Sequence, residues 1–412
     1  MPLFLKTYFF YKQLVLIVCT CFFVCNGSLV AQPNEPTCIN KDASKLYFSK
    51  DSSAFMNFYK KIDELKSGKR KRVNIAHYGG SHIQAGTLSE VLMNGFQKLH
   101  NSEGGGVFIF PFSIVKTNGP HFYKAFTTGH WKRCRCALNK EMCDNLGMAG
   151  VAGITNDSVN TFGFKLMPNN HHKTFNSVKV YHNFNPSFEL ALNHKTLQFE
   201  RKDFKNKGYS EFQFEAYIDS LDFLVIRKDT SCKDFMLRGF SAEKDNAGFY
   251  YASMGVNGAR SNSFLRCSEF VNELKSIPPD LVIFSLGVND TQGTNFNKKD
   301  FIAQYDSMIV QIKKVSPKCA ILFTTTTDNY IRRKTSNKRS VIAQEAIFDL
   351  MNKHHAGVYD MFAVMGGYKS IYKWYKAGYA NKDKVHFLVR GYNLIGNMMF
   401  DAIKKSYDFN SK

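Results

Sequence analysis

The segment Val73–Gly86 is the part of the sequence that most constrains the fold. A short run that favours a β-strand ends at Gly79-Gly80-Ser81, and a helical pattern follows it. Such a strand, turn and helix start would place the Ser81 hydroxyl at the carboxyl edge of a sheet, where open α/β folds bind ligands. Taken alone, the segment is more simply explained as a glycine turn with a serine helix cap. The apolar residues of the helical pattern share one face: Leu88, Val91, Leu92, Phe96 and Leu99.

The first 31 residues have the composition of a secretory signal peptide. Lys6 and Lys12 precede the apolar run 14–24, and no acidic residue occurs before Glu35. Small residues lead to Ala31, after which we predict cleavage. The apolar run is too short to span a bilayer comfortably, although an uncleaved anchor or a lipoprotein is the alternative. The sequence therefore predicts an exported protein in the periplasm, at the cell surface or outside the cell, with no stable membrane insertion after cleavage.

The net charge of the chain indicates which kind of partner the exported protein binds. The formal net charge is +21, and loss of the two lysines of the signal segment leaves +19. Such a protein favours anionic partners. The basic runs 69–72 and 332–334 contain no interleaved aromatic residues and belong to no known nucleic-acid module. We therefore expect an acidic polysaccharide as partner, and no nucleic acid.

The cysteines leave their pairing open. Three of the ten lie in the signal segment, and among the remaining seven only Cys134, Cys136 and Cys143 cluster. A disulfide is possible in an oxidising compartment. Zinc binding is less expected, because no matching His/Cys pair follows at zinc-finger spacing.

Changes in the apolar pattern divide the rest of the chain into four segments. Residues 32–69 begin as a polar lead and then become helical, and 70–118 contain the first strand–helix unit. Residues 119–245 alternate in short strands, which is typical of an inserted β-sandwich. Residues 246–408 return to strands and helices, so we predict an α/β fold with an inserted β domain. The aromatic residues of the insertion either bind sugars or form its core.

Four separated motifs each lie where a strand ends or a loop precedes a helix. They are Gly79-Gly80-Ser81-His82, Gly255-Val256-Asn257-Gly258-Ala259-Arg260, Gly287-Val288-Asn289-Asp290 and Asp383-Lys384-Val385-His386. They occur in the order of the sequence blocks of the SGNH (GDSL-type) hydrolases, which the chain resembles over roughly 70–118 and 246–408. The resemblance implies a flavodoxin-like three-layer fold with a parallel sheet.

The resemblance implies a role for five residues. Ser81 would be the nucleophile, His386 its base, and Asp383 the residue that holds the imidazole in the productive tautomer. The oxyanion would be bound by the backbone N–H groups of Ser81 and Gly258 and by the side-chain amide of Asn289. This chemistry needs no cofactor and no metal.

One position departs from the family. Gly80 stands where the family has an aspartate that braces the nucleophile turn, which puts the efficiency of the enzyme in doubt and leaves an inactive relative as an alternative. His77 and His82 compete with His386 as candidate bases, but the family position favours His386.

The segments 105–111 and 116–120 resemble exported bacterial esterases in which a β-sandwich, similar to a carbohydrate-binding module, follows the first strand–helix unit. These proteins are similar to peptidoglycan O-acetylesterases. The resemblance implies a secreted serine esterase that removes O-acetyl groups from a glycan, with peptidoglycan as the leading candidate. Alternatives are an O-acetyltransferase, an esterase for another polysaccharide, and a non-catalytic glycan-binding relative.

Overall fold

The computed structural model describes residues 34–101, 103–168, 173–194 and 196–410. The predicted signal peptide, residues 1–31, lies outside the described residues, and its cleavage stays a prediction. Within the described part, the chain from Pro36 onward forms one compact unit. No helix in these ranges combines the length and the apolar character that crossing a membrane requires.

Nineteen strands are present in the described part of the chain. In order they are β1 (Leu46–Phe48), β2 (Arg72–Gly79), β3 (Gly104–Ile109), β4 (Tyr123–Thr127), β5 (Lys132–Arg135), β6 (Val151–Thr155), β7 (Val159–Leu166), β8 (Phe175–His182), β9 (Phe188–Leu192), β10 (Phe199–Phe204), β11 (Tyr209–Ile218), β12 (Ser220–Arg227), β13 (Phe235–Lys244), β14 (Gly248–Gly255), β15 (Leu281–Ser285), β16 (Ala320–Thr324), β17 (Tyr330–Ile331), β18 (Thr335–Ser336) and β19 (Gly357–Tyr359).

Ten α-helices accompany them in the same ranges. They are α1 (Ser53–Lys66), α2 (Ser81–Gln84), α3 (Thr87–His100), α4 (Phe270–Leu274), α5 (Val288–Gln292), α6 (Lys298–Val315), α7 (Arg339–His354), α8 (Met361–Val364), α9 (Ser370–Lys376) and α10 (Val389–Asn410).

Five of the parallel strands form the centre of the molecule, in the spatial order β14-β2-β15-β16-β19, and a sixth, β3, lies beside β14. Numbered along the chain, this order is 2-1-3-4-5, which is the flavodoxin-like order. The group α1, α3 and α10 and the group α4, α6 and α7 each pack together, and helices of both groups contact the sheet or its connections, which gives three layers. The predicted fold class is confirmed. Strand order reverses at β2, so the end of β2 is the place where such folds bind ligands.

The helices bury the faces that their spacing predicts. Helix α1 buries its apolar stripe. The same spacing predicts helices over 299–314 and 339–353, and α6 and α7 match these ranges within one residue at each end. A stripe that recurs every three to four residues can be covered only when the segment is helical, because a strand would divide it between two faces. The buried residues of α1 are Phe55, Phe58, Tyr59, Ile62 and Leu65.

The inserted segment is a β-sandwich with an aromatic core. A separate sheet, β4-β7-β12-β9, contributes Phe162, and the large sheet contributes Phe235 and Phe240. The ring centroids of Phe162 and Phe240 are 5.9 Å apart, and those of Phe162 and Phe235 are 6.1 Å apart. Most of the alternating aromatics therefore form the core, whereas Phe126 and Tyr217 are exposed.

The second sheet of the sandwich is continuous with the parallel sheet. Strand β3 pairs in parallel with β14 and in antiparallel with β13, so that Ile109 lies opposite Phe240. From β13 the sheet continues through β8, β11 and β10. Segments 70–118, 119–245 and 246–408 thus share one sheet, and the domain boundaries between them remain a prediction.

Candidate active site

Ser81, His386 and Asp383 form a chain of hydrogen-bonding groups. The Oγ of Ser81 lies 2.7 Å from Nε2 of His386, and Nδ1 of His386 lies 2.8 Å from Oδ2 of Asp383. The imidazole of His386 therefore faces the Ser81 hydroxyl with Nε2 and the Asp383 carboxylate with Nδ1. This geometry allows His386 to accept the proton of Ser81 while Asp383 fixes the tautomer.

The loop that carries Asp383 holds its carboxylate in the charged form. Oδ1 of Asp383 accepts hydrogen bonds from the N–H groups of Val385, at 2.9 Å, and His386, at 3.0 Å. Burial opposes ionisation, but the hydrogen bonds from the His386 ring and from the two backbone groups outweigh it. The pKa of Asp383 therefore lies below its ordinary value. The carboxylate stays ionised and can stabilise an imidazolium on His386.

Gly80 joins the nucleophile to the sheet. It follows β2 and precedes α2, which begins at Ser81, and its φ is −93°, a value open to any L-residue. A Cβ at this position would lie 3.0 Å from Nδ2 of Asn289 and 3.5 Å from the carbonyl oxygen of Ala259. The position is thus restricted by the Asn289 amide and not by its φ.

The three predicted oxyanion donors come from three different loops. Ser81 opens α2, and the first N–H groups of a helix have no partner within it. Gly258 has a φ of +87°, which favours glycine, and in the described part of the chain its N–H donates to no other protein group. The amide of Asn289 donates one hydrogen bond to the carbonyl oxygen of Ala259 at 2.9 Å, which leaves its second hydrogen available.

Gln84 is a positioning residue whose role the sequence did not reveal. Its Oε1 accepts from the N–H of Asn257 at 2.6 Å, and its Nε2 donates to the carbonyl oxygen of Asn118 at 2.6 Å. The Nδ2 of Asn257 donates in turn to the Oγ1 of Thr117 at 2.7 Å. Gln84 therefore ties the nucleophile helix to the loop that carries Gly258. The only signal was its place three residues after Ser81.

Asp290 links the two remaining loops. Its Oδ1 accepts from the Oγ of Ser261 at 2.6 Å and from the N–H of Ser261 at 3.1 Å. These bonds hold the loop of Gly258 against the turn that carries Asn289. Asp290 therefore fixes the loop that contains Ser261, which is a larger role than capping its own helix.

The other candidate bases lie elsewhere. His77 is buried in the sheet, where Nδ1 is 2.7 Å from the Tyr251 hydroxyl and Nε2 is 2.8 Å from the Ser285 hydroxyl. His82 lies beside His386 and hydrogen-bonds to Tyr392. Burial lowers the pKa of both His77 and His82 to about 3. Among the described residues, only His386 hydrogen-bonds to the Ser81 hydroxyl.

One disulfide lies near this site. It joins Cys134 and Cys143, while Cys136, from the same cluster, is free and buried. No group of three His, Cys, Asp or Glu side chains suited to a metal ion occurs within the described ranges.

A candidate nucleophile after the first strand of a 2-1-3-4-5 sheet, with its candidate base and acid three residues apart just before the last helix, resembles the arrangement of the SGNH hydrolases. In fold and site geometry the chain is similar to this class, and its aligned groups are those of a serine esterase.

The comparison with protein families agrees with this class. Residues 227–394 match the GDSL-like Lipase/Acylhydrolase family, a range that contains Gly258, Asn289, Asp383 and His386. Ser81 precedes the matched range, because the inserted β segment separates the first strand from the rest of the domain. No curated protein sequence matches the chain.

A solved structure shares the fold over most of the chain. A peptidoglycan O-acetylesterase is similar with a TM-score of 0.70 and 18% identity, over 88% of this chain and 99% of that chain. A putative acylhydrolase from Bacteroides fragilis has a TM-score of 0.31 and 19% identity, over 38% of this chain and 76% of that chain. A family two carbohydrate esterase from Cellvibrio japonicus has a TM-score of 0.29 and 7% identity, over 69% of this chain and 99% of that chain.

Proposed function

We propose that this protein is an exported serine esterase that removes O-acetyl groups from a glycan, with peptidoglycan as the leading substrate. The observation that carries the proposal is the alignment of Ser81, His386 and Asp383, with separations of 2.7 Å and 2.8 Å. The similarity in fold to a peptidoglycan O-acetylesterase over 88% of the chain supports the choice of substrate. The high positive charge supports an acidic polymer.

The reaction follows from the positions of the groups. The Oγ of Ser81 attacks the acetyl carbonyl while Nε2 of His386 takes its proton, and the resulting oxyanion is bound by the donors of Ser81, Gly258 and Asn289. The imidazolium then protonates the sugar oxygen, the C–O bond breaks and the sugar leaves. Water, deprotonated by His386, releases acetate from the acetylated Ser81.

Export is part of the same proposal. The basic and apolar pattern of residues 1–31 supports cleavage after Ala31 and a location in the periplasm, at the cell surface or outside the cell. The Cys134–Cys143 disulfide is consistent with this location, since disulfides persist in oxidising compartments.

Acetate release from a panel of O-acetylated polysaccharides, and from a chromogenic acetyl ester, tests the function. Ser81→Ala should reduce kcat by orders of magnitude without unfolding the protein. Ser307→Ala, at an exposed helical position, is the matched control and should keep full activity. Turnover by Ser81→Ala near that of the wild type would refute the proposal. The same assay with an added oligosaccharide acceptor distinguishes hydrolysis from acetyl transfer. Hydrolysis produces free acetate, whereas transfer produces an acetylated acceptor.

A further inference from the structure

Two of the predicted oxyanion donors, Gly258 and Asn289, line a groove of about 900 Å³. One wall of this groove comes from the inserted β segment. We call it the loop groove, and its lining residues are Lys132, Arg133, Ala137, Leu138, Asn139, Lys140, Glu141, Gly258, Arg260, Asn262, Ser263, Arg266, Asn289 and Gln292.

The inserted wall is fixed close to the reacting atoms. A Cβ at Gly258 would lie 3.8 Å from the Cβ of Ala137 and 3.9 Å from Cδ2 of Leu138. The Cys134–Cys143 disulfide closes this stretch of chain, and Arg266 donates to Oδ1 of Asn139 at 2.7 Å from the hydrolase side. The inserted segment is therefore a wall of the active site and not a remote module.

The loop groove carries a surplus of positive charge. Its single carboxylate, Glu141, is paired with Arg133 and Arg135. Oε1 of Glu141 pairs with Arg133 and Oε2 pairs with Arg135, so both oxygens have a cationic partner, and the hydrogen bond from Arg135 lowers the pKa of Glu141. Arg260 acts on the neighbouring carboxylate of Asp290. Three further cations line the groove without a carboxylate among its lining residues to neutralise them: Lys132, Lys140 and Arg266.

The uncharged part of the lining suits a sugar chain. Asn139 and Asn262 are exposed and offer amide groups, which donate and accept hydrogen bonds with sugar hydroxyls. A carboxylate on a neighbouring sugar substituent would meet cations on both walls. Substrate binding away from the reacting bond is how such a groove would raise specificity.

We propose that the loop groove binds the glycan next to the acetylated sugar and that its free cations select glycans that carry carboxylate groups. The inference rests on the proposed esterase function. It specifies in addition the charge of the substrate and the residues that recognise this charge. Lys132 and Lys140 are the exposed cations of the inserted wall, and they are specificity residues with no part in the acyl chemistry.

The test uses the mature protein and one oligosaccharide in two forms. O-acetylated fragments with free carboxylates are compared with the same fragments after amidation of the carboxylates, and acetate release gives kcat and KM for each. Lys132→Gln/Lys140→Gln should raise KM about tenfold on the carboxylate form, at roughly threefold for each exposed charge. The amidated form and the chromogenic ester should change by less than about twofold, because no charge pair is lost with either.

Lys60→Gln/Lys314→Gln is the matched control, because it removes the same charge from exposed positions outside the groove. This control should keep the KM of the wild type on both forms. An equal rise in KM in the control variant, or an equal rise on both substrate forms, would overturn the inference. A wild type with the same KM for both forms would also overturn it. In each of these cases, acetate release would still support the esterase function. A wild type that releases no Ser81-dependent acetate from any ester would instead overturn the proposed function.

Discussion

The ring of His82 lies against the ring of His386, with centroids 5.1 Å apart and planes inclined by 33°. His82 Nδ1 is 2.9 Å from the hydroxyl of Tyr392, which fixes the ring. Because burial lowers the pKa of His82 to about 3, this ring is neutral when His386 becomes an imidazolium. His82 is thus a positioning residue that supports the base without repelling its charge.

Replacement of this ring should therefore affect turnover more than binding. His82→Ala should lower kcat on a chromogenic acetyl ester about tenfold with little change in KM, since a misplaced base loses rate steeply. His82→Phe keeps an aromatic ring beside His386 and should recover most of the loss. Equal kcat values for the alanine variant and the wild type would contradict the positioning role.

Asp383→Asn should lower kcat by about 10³-fold to 10⁴-fold, which is less than the loss in Ser81→Ala. An amide that donates to Nδ1 of His386 would leave the proton on Nε2, which then faces Ser81 with the wrong tautomer. The double variant Ser81→Ala/Asp383→Asn gives the decisive measurement. It should be no less active than Ser81→Ala alone, because the two residues act as one unit.

Asn289→Ala should cost about 10²-fold to 10³-fold in kcat, or about 3–4 kcal/mol of transition-state stabilisation. The amide is oriented by its bond to the carbonyl oxygen of Ala259, so its loss removes a donor that is already in place. Asn295→Ala, at an exposed loop position, is the control. A loss confined to KM would mean that Asn289 binds the substrate and does not stabilise the oxyanion.

Gly80 can accept a side chain as far as its backbone is concerned, because its φ is −93°. Gly80→Ala places a Cβ 3.0 Å from the Asn289 amide and should lower kcat severalfold by displacing that donor. Gly80→Asp adds a carboxylate that can accept from the amide and brace it, so its kcat should exceed those of the alanine variant and the wild type. An aspartate variant slower than the alanine variant would show that this carboxylate opposes the oxyanion.

Buried histidines should make the fold sensitive to acid. Burial lowers the pKa of His77 and of His182 to about 3, whereas an unfolded chain titrates near its ordinary value of about 6.5. The unfolded state therefore binds more protons between these values, and stability falls as pH falls through this window. Between pH 7 and pH 5 the two groups together should cost on the order of 4 kcal/mol.

Asp328 opposes this trend, because burial raises its pKa to about 6 and the folded state gains a proton below that value. Its contribution offsets about 1 kcal/mol of the loss between pH 7 and pH 5. Urea unfolding of Asp328→Asn at both pH values should show a steeper fall in the free energy of unfolding than the wild type. An unchanged pH dependence would mean that Asp328 does not titrate in this range.

Local patterns predicted the helices and the parallel strands, because burial of one face imposes a period that the residues themselves display. The site residues were predicted because four short motifs, Gly79–His82, 255–260, 287–290 and 383–386, occur in the order of the sequence blocks of a known family. The Gln84 network was missed, since Gln84, Asn257 and Thr117 are far apart in sequence and polar contacts between loops leave no periodic trace. The antiparallel pairing of β3 with β13 was missed because these two strands are also far apart in sequence. Alternation alone also could not decide whether Phe162 and Phe240 face the core or the solvent, because either face of a strand can be buried.

The pairing of β2 with β14 governs when the nucleophile comes into place during folding. Each residue of β2 from Arg72 to Gly79 lies opposite a residue 176 positions later, and its other neighbour, β15, comes later still. Contacts of such large sequence separation form slowly, since the loop between them must first be closed. The strand that presents Ser81 therefore lacks both of its neighbours in the sheet until the whole inserted segment has been synthesised. Esterase activity should then appear in a single late step of refolding, after the aromatic core of the insertion has formed, and chains truncated before β14 should be inert.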